Sequence, residues 1–321
     1  MQITPQNLYA LNRELRIKWE NGMQAASKRR LWQPADLSEE DAVSTETVEV
    51  VWSEKLPRMK KWTTNKEIQN TFLRSFTAKN EKYHNLHEID EATIERNDAR
   101  RLNNLTRGLV EAASSWVPNL VIDCLRNGGA TFKDYIGFDK KPIYDTAHPV
   151  HLNDDSLGPQ SNIFNTMPLT DPNYEKAISR MMEFKGIDGE PLGVYPDILL
   201  VGPRLAGAAK RIVQARTVST GGENINAGTT KLIVMPELIP PGTPDTSPIH
   251  ETWYLFSTSM GVMPIITQLE KRPQYRSNLP GGGGVTTMDG MAISTEKLLF
   301  DTPARGCAYI LAWFLTAKFT P

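Results

Sequence analysis

The sequence predicts an α+β protein, and three observations carry that expectation. One long amphipathic helix, from about Leu102 to Cys124, stands between short strand-like runs and a loop-rich stretch. A compact α/β unit follows over residues 171–235. The chain then ends in Ala308–Phe319, an apolar run suited to a long strand covered on both faces. A length of 321 residues suits about two domains or one elaborated fold.

Taken in order, Leu8, Leu11, Leu15 and Trp19 recur at helical spacing, with Arg13, Glu14, Arg16 and Lys18 between them. Residues 24–41 are polar and charged, so they read as an extended linker, and the first helix as an arm that docks elsewhere. Val43–Trp52 is β-branched and partly alternating, and Leu56–Met59 follows as a turn, which predicts a protruding hairpin. Lys55, Arg58, Lys60, Lys61, Lys66 and Arg74 make that loop locally basic against Glu54 and Glu67. Strands are expected over 72–79 and 82–90. The long helix takes Asn97 or Asp98 as its cap and Asn127-Gly128-Gly129 as its left-handed stop; Pro118 inside it removes a hydrogen bond and predicts a bend.

Beyond the loops of 130–168, Asp171 reads as the N-cap and Pro172 as the first residue of a helix with Tyr174, Ile178, Met181 and Met182 as its buried face. Asp197–Gly202 reads as a buried strand, Pro203–Arg216 as a helix and Lys231–Met235 as a second strand. Further strands are expected at 252–257 and 263–269. Gly281–Gly284 reads as a mobile or tightly turning loop rather than a phosphate nest, since no helix or Lys follows it.

Charge and cysteine content exclude several function classes. With 36 Lys and Arg against 37 Asp and Glu, the formal charge is −1, which argues against a protein that depends on one strongly basic face. Two cysteines, Cys124 and Cys307, are too few for a disulfide framework or a Cys-rich zinc site and suit a reducing compartment. No secretory leader or membrane-length apolar run is present, so a soluble intracellular product is expected.

Catalytic signatures are equally thin. The sequence has no phosphate-binding loop, no dinucleotide fingerprint and no complete nucleophile elbow. His84 and His87 lie three apart in an expected strand and therefore face opposite sides. His148 and His151, with Asp145, Asp154 and Asp155 nearby, are the best metal candidates, yet Pro149 between them points to a turn and no third ligand is evident. Trp32, Trp52 and Trp62 interleave with basic residues, but Asp36, Glu39, Glu40 and Asp41 interrupt the charge, which favours a protein–protein contact over nucleic-acid readout. No cofactor is expected.

The order of elements, and four local motifs within it, carry a family resemblance. Leu56-Pro57-Arg58-Met59-Lys60-Lys61-Trp62, with Ile68-Gln69 after it, is the first. Pro118 in a helix ending at Leu125-Arg-Asn-Gly128 is the second. Tyr144-Asp145-Thr146-Ala147-His148-Pro149-Val150 and Pro196-Asp-Ile-Leu-Leu-Val-Gly-Pro203 complete the set. Together they resemble the major head subunits of phage Mu and Mu-like prophages, which have the Hong Kong 97-type coat fold.

That resemblance implies an N-terminal arm (1–38), an extended E-loop (39–75), a peripheral or P-domain of strands and spine helix (76–130), an axial or A-domain (131–262) and return strands completing the P-domain (263–321). It implies a non-enzymatic major capsid protein of a tailed double-stranded DNA phage or prophage, assembling with itself into pentamers and hexamers. Scaffold, portal and maturation protease would be assembly partners in the host bacterial cytoplasm, packaged double-stranded DNA a non-specific one, and a decoration protein a further one; no membrane is involved. Because Met1 directly precedes the arm, a separate scaffold protein is expected. Inter-subunit contacts are expected from Leu8, Leu11, Leu15 and Trp19 on the arm, and from Val50, Val51, Trp52, Lys55, Arg58, Lys60, Lys61 and Trp62 on the E-loop. In this family His148 belongs to structural loop sequence. An encapsulin-type compartment is the first alternative, and a metal-dependent hydrolase using His148, His151 and Asp145 the second.

Overall fold

The N-terminal apolar spacing forms helix α1 (Pro5–Ala26), which lies along the longest helix of the protein, α2 (Ala99–Arg126). The structure is a computed structural model that describes residues 4–26, 31–53, 73–90, 92–93, 96, 98–150, 157–187, 189–217, 221–282 and 297–321. Asp98 caps α2 by accepting the Arg101 backbone N–H at 3.0 Å. Its end turns at Gly128 and Gly129, with φ of 79° and 123°. At Gly129 a Cβ would sit 2.4 Å from the Ile143 side chain, so only glycine fits there. The helix runs through buried Pro118, whose missing N–H leaves the Ser114 carbonyl without its helical donor.

Two sheets organise the rest. The first holds β1 (Ser38–Ala42), β12 (Ile265–Lys271), β15 (Ala304–Ile310) and β4 (Glu81–Tyr83) in the order β1-β12-β15-β4 and packs against α2. The second holds β10 (Lys231–Val234), β9 (Ile198–Val201), β11 (Trp253–Phe256), β16 (Thr316–Phe319) and β8 (Ile163–Phe164), in that order. Every residue of β9 and β11 is buried. Helices α3 (Asp171–Met182) and α4 (Ala206–Val213) contribute Tyr174, Ala177, Met181, Ala209, Ile212 and Val213 to the same core. Trp253 stacks on Phe319 at 4.1 Å and donates its indole N–H to the Met167 carbonyl at 2.8 Å.

Smaller pairings complete the architecture. Strands β13 (Arg276–Ser277), β14 (Lys297–Asp301) and β5 (His87–Asp90) form a three-stranded sheet. Strands β2 (Thr47–Ser53) and β3 (Leu73–Lys79) form a separate hairpin, and β6 (His148–Pro149) pairs with β7 (Pro159–Gln160).

Three expectations need correction. Residues 24–41 are not a free linker: Trp32 and Leu37 are buried in the main core, and β1 pairs in parallel with β12. The expected E-loop therefore begins inside a sheet strand. The single terminal strand is two strands, β15 and β16, broken by a 3-10 turn at Trp313–Leu315 and placed in different sheets. Residues 263–321 thus do not all return to one half, and the uninterrupted burial of residues 304–317 apart from Arg305 hides the crossing. Lastly, α3 starts at Asp171 with Thr170 as its cap, and Ala177 rather than exposed Met182 lies in the core.

Candidate functional site

Three sequence-derived regions could carry function: the His148 loop, the N-terminal helix and the hairpin. His148 is wholly buried. Its Nδ1 lies 2.5 Å from Asp139 Oδ2, its Nε2 lies 3.1 Å from Asn162 Oδ1, and its ring stacks on Trp313 at 4.5 Å and 3°. Asn162 Nδ2 donates to the carbonyls of Ile143, Trp313 and Thr316. Oδ1 must therefore be the acceptor, which makes His148 Nε2 a donor. Asp145 accepts the Ala147 N–H at 2.8 Å and shapes a turn, and its own N–H is held by Asn162.

Both ring nitrogens are thus spent inside the protein, and neither is left to bind an ion. That corrects the hydrolase alternative at His148 and Asp145; His151, Asp154 and Asp155 lie outside the described residues. Among the described residues no group of three His, Cys, Asp or Glu side chains could hold a metal. The loop is a knot that ties Asp139, His148 and Asn162 to the turn before β16. Pro149 extends it through the β6–β7 pair, opposite Pro159. Buried Pro196 precedes Asp197, whose side chain accepts the Thr258 backbone N–H at 3.0 Å and whose carbonyl accepts the Lys231 N–H at 2.7 Å.

The arm candidates find their cover within the chain. Leu15 and Trp19 are buried against Leu102, Leu109, Val110, Ala113, Leu279 and Phe300, with Leu8 and Leu11 packed alongside. At Gly22 a Cβ would lie 2.8 Å from Val110, so the two helices approach closely there. Asn12, the one buried polar residue of α1, accepts the hydroxyls of Tyr275 (3.0 Å) and Ser277 (2.9 Å) and donates to the Pro280 carbonyl (3.3 Å). Gly281 turns with φ of 78° directly beneath Tyr9, where a Cβ would come within 2.6 Å of the ring. The described part of the glycine run is therefore a tight turn that seats the helix. Sequence reading missed Asn12, since a polar residue beside an apolar stripe looks solvent-facing.

The hairpin divides its candidates between two faces. Register runs from Thr47 opposite Lys79 to Ser53 opposite Leu73. Val50 and Trp52 pack on the core, Trp52 lying 6.4 Å from Phe138 and 5.9 Å from Phe314. Phe76 packs edge-on to Tyr135 and Tyr309, each at 5.2 Å. These inward residues are spent within the chain, whereas Val51 is 57% and Leu73 69% exposed on the outward face. Lys55, Pro57, Arg58, Lys60, Lys61 and Trp62 lie outside the described residues.

Comparison with known proteins adds an independent line. The sequence profile of the Mu-like prophage major head subunit gpT family matches residues 8–168 and 159–238. No curated protein matches the chain. Among solved structures, the capsid of bacteriophage JBD30 is similar with a TM-score of 0.53 and 16% identity, covering 66% of this chain and 93% of that one. The procapsid of the same phage gives 0.53 and 15%, over 99% and 76%. The capsid of an empty GTA particle gives 0.53 and 10%, over 91% and 90%.

Proposed function

Because the chain belongs to the Mu-like prophage major head subunit gpT family and has the Hong Kong 97-type capsid fold, it is a major capsid protein of a tailed phage, and from that premise we propose how it builds a shell. The observation that carries the reading is the hairpin, which holds itself to its own subunit by Val50, Trp52 and Phe76 while presenting Val51 and Leu73 outward. Such a half-covered projection gains most by burying its free face on another copy. Each copy would then offer a hairpin to one neighbour and receive one from another, the heterologous arrangement that closes rings.

In this reading pentamers and hexamers gather around the half built on the five-stranded sheet, the axial half, and the α2 half spans between them. The role is structural rather than catalytic. Scaffold, portal and maturation protease act during assembly in the host cytoplasm. The finished shell holds double-stranded DNA non-specifically, as the near-zero net charge allows, and can take a decoration protein. The test is negative-stain microscopy of the purified protein with and without a scaffold protein. Closed, regular particles or capsomers are expected; a monomer that stays monomeric at high concentration under both conditions would sink the proposal.

A further inference from the structure

Across one end of the four-stranded sheet, three cations stand in a row. Lys271 on β12 is in register with Arg305 on β15, and Arg305 with Lys82 on β4. A β-bulge between Leu269 and Lys271 brings Lys271 into the row. The row points away from α2. Tyr83, beside Lys82, packs edge-on to Trp116 of that helix at 5.7 Å, and a Cβ on Gly306, beside Arg305, would lie 3.1 Å from the same indole. Alternate residues of a strand face opposite sides, so Lys82 and Arg305 take the other face. Arg276 and His84 help line the same open concavity, of about 220 Å³.

Like charges directly opposite one another destabilise a sheet. Glu270, 2.9 Å from Arg305, offsets one of the three. Asp301, in register with Arg276, accepts the Asn85 backbone N–H at 3.3 Å. Among the described residues no carboxylate lies within ion-pair distance of Lys82, Lys271 or Arg276. Burial, and then the Arg276 and Arg305 guanidinium groups, hold the Lys271 ammonium below its ordinary proton affinity. Glu270, taken by Arg305, is the carboxylate that acts on Lys271, and among the described residues Lys82 and Lys271 are left without an ion pair of their own.

The edge strand beside β12 carries the complement. Edge strand β1 reads Ser-Glu-Glu-Asp-Ala. Leu269 lies opposite Gly306 on the α2 side, which puts Gln268 and Ile266, and with them Asp41 and Glu39 in register, on the face of the cation row. Both acids are exposed, and among the described residues neither has an ion-pair partner, whereas Glu40 is taken by Arg272.

We propose that the row and the acidic strand are mates: the Lys271–Arg305–Lys82 row of one copy receives the Glu39/Asp41 edge of a second copy. Each copy supplies both partners from different strands of one sheet face, so a copy can offer its acids to one neighbour and its cations to another. It rests on the shell reading above and names one electrostatic joint within it.

The test is charge exchange in the full chain. Lys82→Glu with Arg305→Glu should reduce assembled particles at least ~tenfold by placing acid against acid, and Glu39→Lys with Asp41→Lys should do the same. Combining all four substitutions should restore particles. Melting temperature is the control for folding, and Lys82→Gln should leave it unchanged or raise it by relieving the row. Unimpaired particles from either reversal, or no rescue by the combination from variants that melt normally, overturn the joint. So does a reversed row that assembles normally but loses retention of a 30-base-pair DNA duplex, which would make the row a phosphate surface. Failure of the unsubstituted protein to assemble counts against the shell reading itself, a distinguishable result.

Discussion

Helix α1 and the β2–β3 hairpin are both amphipathic extensions, yet they satisfy their apolar faces differently. The helix covers α2 and Phe300 with Leu15 and Trp19 and leaves mainly Tyr9 and Ile17 outside. The hairpin commits only its inner residues and keeps Val51 and Leu73 exposed. Amphipathic spacing therefore states that a face needs cover, and says nothing about which chain provides it. A helical arm can fold back onto a long helix with a matching stripe, because ridges and grooves are available along its whole length. A two-stranded ribbon has two faces and one core to meet, so one face stays free.

The comparison breaks most visibly if α1 is removed. Deleting residues 1–22 strips the cover from Leu109, Val110 and Phe300. At ~1.5–3 kcal/mol per fully buried side chain, the loss of Leu15 and Trp19 alone costs roughly 3–6 kcal/mol. Chemical denaturation should show that loss in the unassembled protein. A truncated chain as stable as the full one would mean that the helix belongs on a neighbour.

The next effect is smaller in area but sharper in mechanism. His148→Ala leaves the Asp139 carboxylate buried without its ring partner and opens a gap beneath Trp313. Removing one member of a buried pair costs about 3–5 kcal/mol. A fall in unfolding free energy of that size, with no change in the metal content of the purified protein, is the expected outcome. A variant of unchanged stability would remove the knot from the structural account.

How much of this was legible in the sequence follows from the range of the interactions involved. Helix α2 declared itself through local signals: Asp98, the three-four spacing from Leu102 to Cys124, and the two glycines after Asn127. Strands β9 and β11 did so by unbroken apolar composition. Strand β1 was silent, because a five-residue edge strand that buries only Ser38 has no alternation to read. The break at Trp313–Leu315 was silent for the opposite reason, since residues on both sides of it are buried in one sheet or the other. The His148 loop was visible as a motif, but its meaning was not. Its ring is fixed by Asp139, Asn162 and Trp313, and Trp313 is remote in the chain.

The smallest expected effect on stability tests the hairpin and decides the comparison. Val51→Ser with Leu73→Ser changes side chains that touch little within the subunit, so unfolding free energy should move by less than about 0.5 kcal/mol. The same pair, if seated on a neighbour, loses apolar burial there, and the loss is repeated in every subunit of the shell. Particle yield, read by sedimentation, should fall while the monomer's melting curve stays in place. Replacing Trp52 with Ala should do the reverse at the level of one chain, since its ring lies against Phe138 and Phe314. It should lower stability before it affects assembly. The outward pair and the inward Trp52, which is next to Val51 on one strand, would then separate using the hairpin from holding it. If both changed only stability, the outward face would be ordinary surface, and the shell contacts would have to come from elsewhere, with the acidic strand and the basic row of the four-stranded sheet as the next surfaces to examine.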